Sequence, residues 1–239
     1  MNPLAARSRF ALQVPVTVAT KCAAPEKRPR GRPRKTAGER DDGNRRVELI
    51  NAAAKLFRKN GFDGTTTRDI AAAVGMHSGS PFYHFKSKGA LLYAVMEQGM
   101  RTAILQQALG LRAAEKSPPD GAALLRVLIR NHFGVLLGPG SDFIPVMLYE
   151  SRSLTARQRT LLAKLRGDYE AVWEPVLNAL HNAGRIKGQV KLARLLIFGA
   201  LNWSVQWFDA KKGASLEELA DAAMALFVQT LPPATLKTP

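Results

Sequence analysis

Thr65–Lys88 reads TTTRDIAAAVGMHSGSPFYHFKSK, and this stretch decides the fold. Thr66 and Asp69 stand in the spacing of a capping box, so a helix starts there. Ile70, Ala71 and Val74 give it an apolar inner face, and its small alanines let a second helix approach closely. Gly75 supplies the turn, and a further short helix opens at His77 or Ser78. Pro81 is tolerable because it falls in that helix's first turn, where its missing N–H costs nothing. Two short helices joined by a Gly turn, followed by phosphate-seeking side chains, form a helix-turn-helix whose second helix can enter a DNA major groove.

The flanking sequence continues in helices. Leu49, Ile50, Ala53, Leu56 and Phe57 recur at helical spacing in a segment expected to be ordered from near Asn44 and to end at Asn60-Gly61. Downstream, Phe85 closes onto the core and a longer helix runs from Lys88 towards Ala114. The Ser117–Gly121 and Gly138–Gly140 breaks bound another helix, and Phe143, Met147 and Leu148 mark a short one. Thr155 with Gln158 starts a long helix that Pro175 should kink or interrupt. After a turn at Asn182–Gly188 come helices at about Val190–Ala210 and Leu216–Leu231, the last capped by Ser215 and Glu218. No strand-like alternation persists, so the expected fold is all-α. Residues 1–43 read as a mobile basic arm, 44–104 as a three-helix DNA-binding head with the helix-turn-helix, and 105–239 as a larger helical domain.

Charge supports a polyanionic partner. The 239 residues carry a net charge of +16 with 46% hydrophobic and 23% charged residues, ordinary proportions for a globular protein with a strong basic bias. Residues 1–46 hold twelve Lys or Arg against four acids, so half of the excess lies at the N-terminal end. The single cysteine, Cys22, permits no intrachain disulfide, in keeping with a reducing compartment. No apolar run reaches the length of a membrane span. Gln13, Pro15 and Thr17 interrupt the weakly apolar stretch after Arg9, which argues against a secretory signal. The chain reads as cytoplasmic, with no membrane partner.

From Gly61-Phe-Asp-Gly-Thr-Thr-Thr-Arg-Asp-Ile-Ala through Tyr83-His-Phe-Lys-Ser-Lys88, the segment Arg46–Met100 resembles the DNA-binding domain of a TetR/AcrR-type transcriptional regulator. The resemblance implies a three-helix head, a helical ligand-binding and dimerisation body, a homodimer and an operator in double-stranded DNA. Thr66 and Thr67 sit at a helix N-terminus, which favours a phosphate, although plain N-capping is compatible with that role. Ser78, Gly79 and Ser80 open the recognition helix and face base edges, with serine hydroxyls too versatile to define a sequence. Tyr83, His84, Lys86 and Lys88 suit phosphate contacts that fix register; His84 has a core role as its alternative. Phe82 stands at the DNA face where the family usually has a tyrosine. It has no hydroxyl, so that contact is expected to be lost or to shift to Tyr83.

Lys27-Arg-Pro-Arg-Gly-Arg-Pro-Arg-Lys35 contains an AT-hook-like core. Arg30, Arg32 and Arg34 on a Pro-stiffened backbone, with Gly31 clear of the groove floor, suit a narrow A·T-rich minor groove. A solvated basic tail that only raises nonspecific affinity is the competing reading.

In the body, Leu195–Phe208 is apolar around most of a helical circumference and is expected to be buried on several sides. Gly199, Ala200 and Trp203, with Leu219, Ala223 and Leu226 on the last helix, make a four-helix interface between protomers plausible; an intramolecular core is the alternative. The phrase Gly199-Ala-Leu-Asn-Trp203 followed by Gln206-Trp-Phe208 is similar to TetR-type regulators of fatty-acid, sterol and acyl-CoA catabolism, and implies an acyl-CoA or lipid effector. Phe208 departs from the tyrosine usual there. Met96, Phe133, Phe143, Met147 and Trp173 are the candidate pocket residues, with Tyr149 and Tyr169 beside them.

No nucleophile elbow, phosphate loop, zinc-protease motif or Cys/His cluster is present, and His77, His84, His132 and His181 are scattered. Neither catalytic residues nor a metal or cofactor is expected. The expected function is a homodimeric repressor released by a small apolar or CoA-thioester ligand. An architectural A·T-rich DNA binder and a drug-efflux regulator sensing cationic or aromatic compounds are the alternatives.

Overall fold

The structure, a computed structural model, describes residues 37–76, 81–114 and 120–229. Ten α-helices and three short 3-10 turns make up the regular structure among them, with no strand. The fold is all-α, as the patterning predicts.

Helix α1 (Ala37–Asn60) begins ahead of Asn44 and so shortens the expected arm. Residues 37–42 hold no proline or β-branched residue, so nothing in them interrupts a helix. Helix α2 (Thr67–Ala73) starts on the predicted capping box. The Thr66 hydroxyl accepts the Asp69 N–H at 3.1 Å, and the Asp69 carboxylate accepts the Thr66 N–H at 2.8 Å. Gly75 then turns the chain at φ 65°, in the left-handed region that only glycine enters freely. Helix α3 (Pro81–His84) opens on its proline. Leu49, Ile50, Phe57, Ile70, Phe85 and Leu92 form the apolar centre of this head.

Helix α4 (Lys88–Ala114) is continuous across the expected 104/105 boundary, so head and body share one helix. The body adds α5 (Gly121–Leu137), α6 (Phe143–Glu150), α7 (Ala156–Ala171), α8 (Trp173–Asn182), α9 (Val190–Trp203) and α10 (Leu216–Phe227). Helix α4 packs on α5, α6 and α7, while α5 packs on α8 and α10, and α8 on α9. The capping boxes Thr155/Gln158 and Ser215/Glu218 are both formed. The interruption expected from Pro175 falls at Val172, ahead of it. Pro175 has no N–H for the Ala171 carbonyl and its ring would crowd that carbonyl, so the helix restarts with the proline in its first turn.

Two helices are shorter than the periodicity suggests. Helix α9 stops at Trp203 because buried Ser204 turns both its N–H and its hydroxyl (2.7 Å) back to the Leu201 carbonyl, which tightens the chain into a 3-10 turn. Helix α10 stops at Phe227; Val228 is extended, and the Gln229 N–H donates to the Arg185 carbonyl at 2.9 Å.

Candidate nucleic-acid interface and ligand cavity

The head presents its polar side chains unequally. Thr65 is fully buried and staples the turn, its hydroxyl placed 2.8 Å from the Gly61 carbonyl and 3.2 Å from that of Leu56. Thr66 is exposed, but its hydroxyl is also hydrogen-bonded to the Asp69 carboxylate at 2.7 Å. That bonding holds the Asp69 carboxyl below its ordinary range, and capping is the role the geometry displays. Thr67 is half-buried, and Arg68, which patterning did not single out, is exposed beside it. Tyr83 is 79% exposed and stands edge-on to the half-buried His84, with ring centres 5.2 Å apart. Lys86 is exposed.

Lys88 is a correction. Its ammonium donates to the Phe62 carbonyl at 2.8 Å and the Thr65 carbonyl at 3.0 Å, and lies 4.2 Å from the centre of the Phe62 ring. It ties α4 to the turn before α2 instead of pointing free at a phosphate. Ser78, Gly79, Ser80, the Phe82 side chain, Arg30, Gly31, Arg32 and Arg34 lie outside the described residues.

The body contains a cavity of about 650 Å³, within the size range of small-molecule sites. Its floor is apolar, from Met100 and Ala103 on α4, Val135 on α5, and Ile144, Met147 and Leu148 on α6. Exposed residues of α7 (Arg159, Ala163, Arg166) and α9 (Leu195, Gly199) frame its mouth. Of the five candidate pocket residues, Met147 lines this cavity. Met96, Phe133 and Trp173 are packed in the core, and Phe143 lines a separate void of about 50 Å³. Large apolar side chains serve a core and a cavity wall equally well, so residue type alone does not separate them.

A chain of polar groups runs through one side of the cavity: Tyr169, a candidate in the sequence, lines it, while His132, Asn202 and Gln107 were not singled out there. His132 on α5 is buried, with Nδ1 2.9 Å from the Tyr169 hydroxyl and Nε2 3.1 Å from Asn202 Oδ1. Burial pushes its pKa down to about 4 and pushes that of Tyr169 up. At neutral pH the ring is therefore neutral: Tyr169 donates to Nδ1, and Nε2–H donates to Asn202. The chain of bonds continues inward, where Gln107 donates to the Tyr169 carbonyl at 3.0 Å and accepts from Trp173 Nε1 at 2.9 Å. Glu170, also on the cavity wall, pairs with Arg194 and lies 3.7 Å from Arg166. Nothing in local spacing links residues 107, 132, 169, 173 and 202; only the tertiary fold brings them together.

Residues 49–95 match the family described as bacterial regulatory proteins, tetR family, and residues 119–231 match the tetracyclin repressor-like C-terminal domain. A solved structure described as superantigen PfiT is 38% identical, covers 77% of this chain and 96% of its own, and superposes with a TM-score of 0.64. The chain belongs to the TetR family. Among its TetR relatives, the transcriptional repressor KstR2 of Rhodococcus jostii (strain RHA1) is 27% identical over 78% of this chain and 91% of the relative. The fatty acid metabolism regulator protein of Bacillus subtilis (strain 168) is 25% identical over 76% and 93%. AibR, solved with isovaleryl coenzyme A and operator DNA, shares the TetR fold at 22% identity, a TM-score of 0.68, and 77% and 97% coverage.

The outer faces of α9 and α10 complete this TetR body. Gly199 and Ala200 are exposed, Trp203 is 63% exposed and Leu226 81%; Leu219 is half-buried, while Ala223 is buried in the protein's own core. Leu192, Leu195, Leu196 and Trp207 are exposed as well. The segment expected to be buried on several sides therefore buries Ile197, Phe198 and Leu201 and leaves an apolar face bare. No helix among the described residues is long and apolar enough to cross a membrane, and no three or more of their His, Cys, Asp and Glu side chains cluster as a metal site.

Proposed function

We propose that this TetR-family regulator is a homodimeric repressor, released from operator DNA by a small apolar or CoA-thioester effector bound in the body cavity. One observation carries the reading: the 650 Å³ cavity is walled by α6, and the end of α6 also touches the head. An effector that prefers a shifted α6 changes the relative positions of the two heads, and only such differential affinity can drive release. Half-site spacing on DNA then fails. The bare apolar face on α9 and α10 supports a second protomer as its cover, because monomers seldom leave contiguous apolar patches of this kind exposed.

The effector class follows from the walls. A cationic effector finds no unpaired carboxylate on this cavity: Glu170 is paired with Arg194, and Arg159 and Arg166 stand at the mouth. The similarity to the fatty acid metabolism regulator protein favours a lipid-related effector over a drug. The deciding experiment is footprinting of the full chain with and without decanoyl-CoA. The expected outcome is protection of a discrete palindromic site, lost on adding the thioester. Broad A·T-rich protection insensitive to any acyl compound would favour the architectural reading.

A further inference from the structure

The relay Tyr169–His132–Asn202 does more than fill space. It joins α7 to α9 by way of α5, and α7 and α9 are the helices whose exposed residues frame the cavity mouth. Every buried polar atom along it is satisfied in one direction: Tyr169 O–H to Nδ1, then Nε2–H to Asn202 Oδ1. What remains is the Asn202 side-chain NH₂, which makes no hydrogen bond among the described residues. Asn202 is half-buried on the cavity wall, and a donor in that setting favours an acceptor. Reversing the relay does not remove this demand: a flipped amide frees the Tyr169 hydroxyl hydrogen instead. The same cavity is lined by apolar Met100, Ile144, Met147 and Leu148.

We propose that Asn202, held in register by His132 and Tyr169, is the specificity-determining residue of the cavity and selects an apolar effector with a carbonyl oxygen near the mouth. This rests on the cavity being the effector site. The carbonyl accepts from the Asn202 amide, the hydrocarbon tail runs inward to α6, and any polar extension leaves between Arg159 and Arg166. Thioesters and ketones share this acceptor chemistry.

The test compares two probes of equal length by calorimetry on the full chain: octanoyl-N-acetylcysteamine, a thioester, and the corresponding octyl thioether, which lacks the thioester carbonyl and keeps the same acetamide. The expected result is about tenfold tighter binding of the thioester, the size of one lost partner for a buried donor. Asn202→Leu, which keeps the branching and number of side-chain heavy atoms, is expected to abolish that preference while keeping thioether affinity within about twofold, which also shows that the cavity is folded. Tyr169→Phe is expected to weaken the preference without removing it, since it leaves the amide but loosens its register. Equal affinity of the wild type for both probes, or an undiminished preference in Asn202→Leu, overturns the proposal and leaves the effector site standing. Binding of neither probe overturns both.

Discussion

Glu150, on the last residue of α6, accepts the backbone N–H of Phe62 at 3.1 Å, and so joins the body directly to the turn that precedes the helix-turn-helix. A second link runs parallel to it, from Arg58 at the end of α1 to Asp142 before α6 at 3.0 Å. The opposite side of α6 lines the cavity through Ile144, Met147 and Leu148. Any movement that a ligand imposes on α6 is therefore delivered, through two links, to the α1 end of the α1–α2 connection. Glu150→Ala, combined with Asp142→Ala, is expected to bind operator within a few-fold of wild type yet need several-fold more effector for release. Paired titrations of operator affinity and effector response check this, and an unchanged effector response would remove α6 as the link.

Lys86 and Lys88 are two residues apart and predict opposite phenotypes. Lys88 is held by two carbonyls and the Phe62 ring, so Lys88→Met is expected to lower stability by about 1.5–3 kcal/mol, the range for hydrogen bonds to a charged group. Lys86 is exposed, and no hydrogen bond or ion pair is formed by it among the described residues. Lys86→Ala is expected to leave the melting temperature alone and lower the salt slope of operator binding by about one. Melting curves and binding at several salt concentrations separate the two. A lower salt slope with unaltered stability in Lys88→Met would return that residue to the phosphate contacts.

The legibility of the chain follows the range of each interaction. Capping boxes act over three residues, so Thr66/Asp69, Thr155/Gln158 and Ser215/Glu218 were all readable as helix starts. The ends of α9 and α10 were not, because each is set by a side chain or partner outside the periodic pattern: the Ser204 hydroxyl, and the Arg185 carbonyl 44 residues from Gln229. The cavity was least legible. Met147 and Trp173 look alike to a hydropathy reading, but one lines the void and the other is fully buried in the core beside it. His132, one of four dispersed histidines, acquires its role only from residues 37 and 70 positions away.

His132 also predicts a pH response. Its folded pKa is about 4 and its unfolded value 6.5, so the unfolded chain binds the proton first. The stability that accompanies the neutral ring is whole above about pH 6.5 and is lost as pH falls towards 4, to a total of about 3 kcal/mol. Carboxylates with lowered values, such as Asp69 and Asp221, lose their contributions only below their unfolded values, nearer pH 4. Thermal melts between pH 7 and 5 should therefore show a falling midpoint that His132→Phe largely flattens. A wild-type midpoint constant across that window would contradict a buried neutral histidine.

Leu196 is 71% exposed on α9, in line with Leu192, Leu195 and Trp203. If a second copy covers this face, a charge placed at its centre must be desolvated without a partner, which such interfaces do not tolerate. Leu196→Glu is expected to sediment as a monomer and to lose most operator affinity, because one head reads only one half-site. Its melting temperature should not depend on an intramolecular contact, as the side chain is already bare in the single chain. A dimeric Leu196→Glu protein would place the interface elsewhere.

The basic segment before α1 gives the last prediction, and the position of Ala37 decides how to make it. Residues 1–36 contain nine Lys or Arg against one acid, while α1 begins at Ala37. A deletion that ran to residue 40 would cut into this helix and mix folding with binding. Removal of residues 1–36 leaves α1 whole and is expected to preserve the melting temperature and the operator position. Affinity should fall, and the slope of log affinity against log salt should become shallower by several units, as phosphate-neutralising charges are lost. If Arg30, Arg32 and Arg34 read a minor groove, the loss is larger on operators with A·T-rich flanks than on G·C-rich ones. An equal loss on both flanks assigns the segment to nonspecific attraction alone. An unchanged salt slope takes it out of DNA binding.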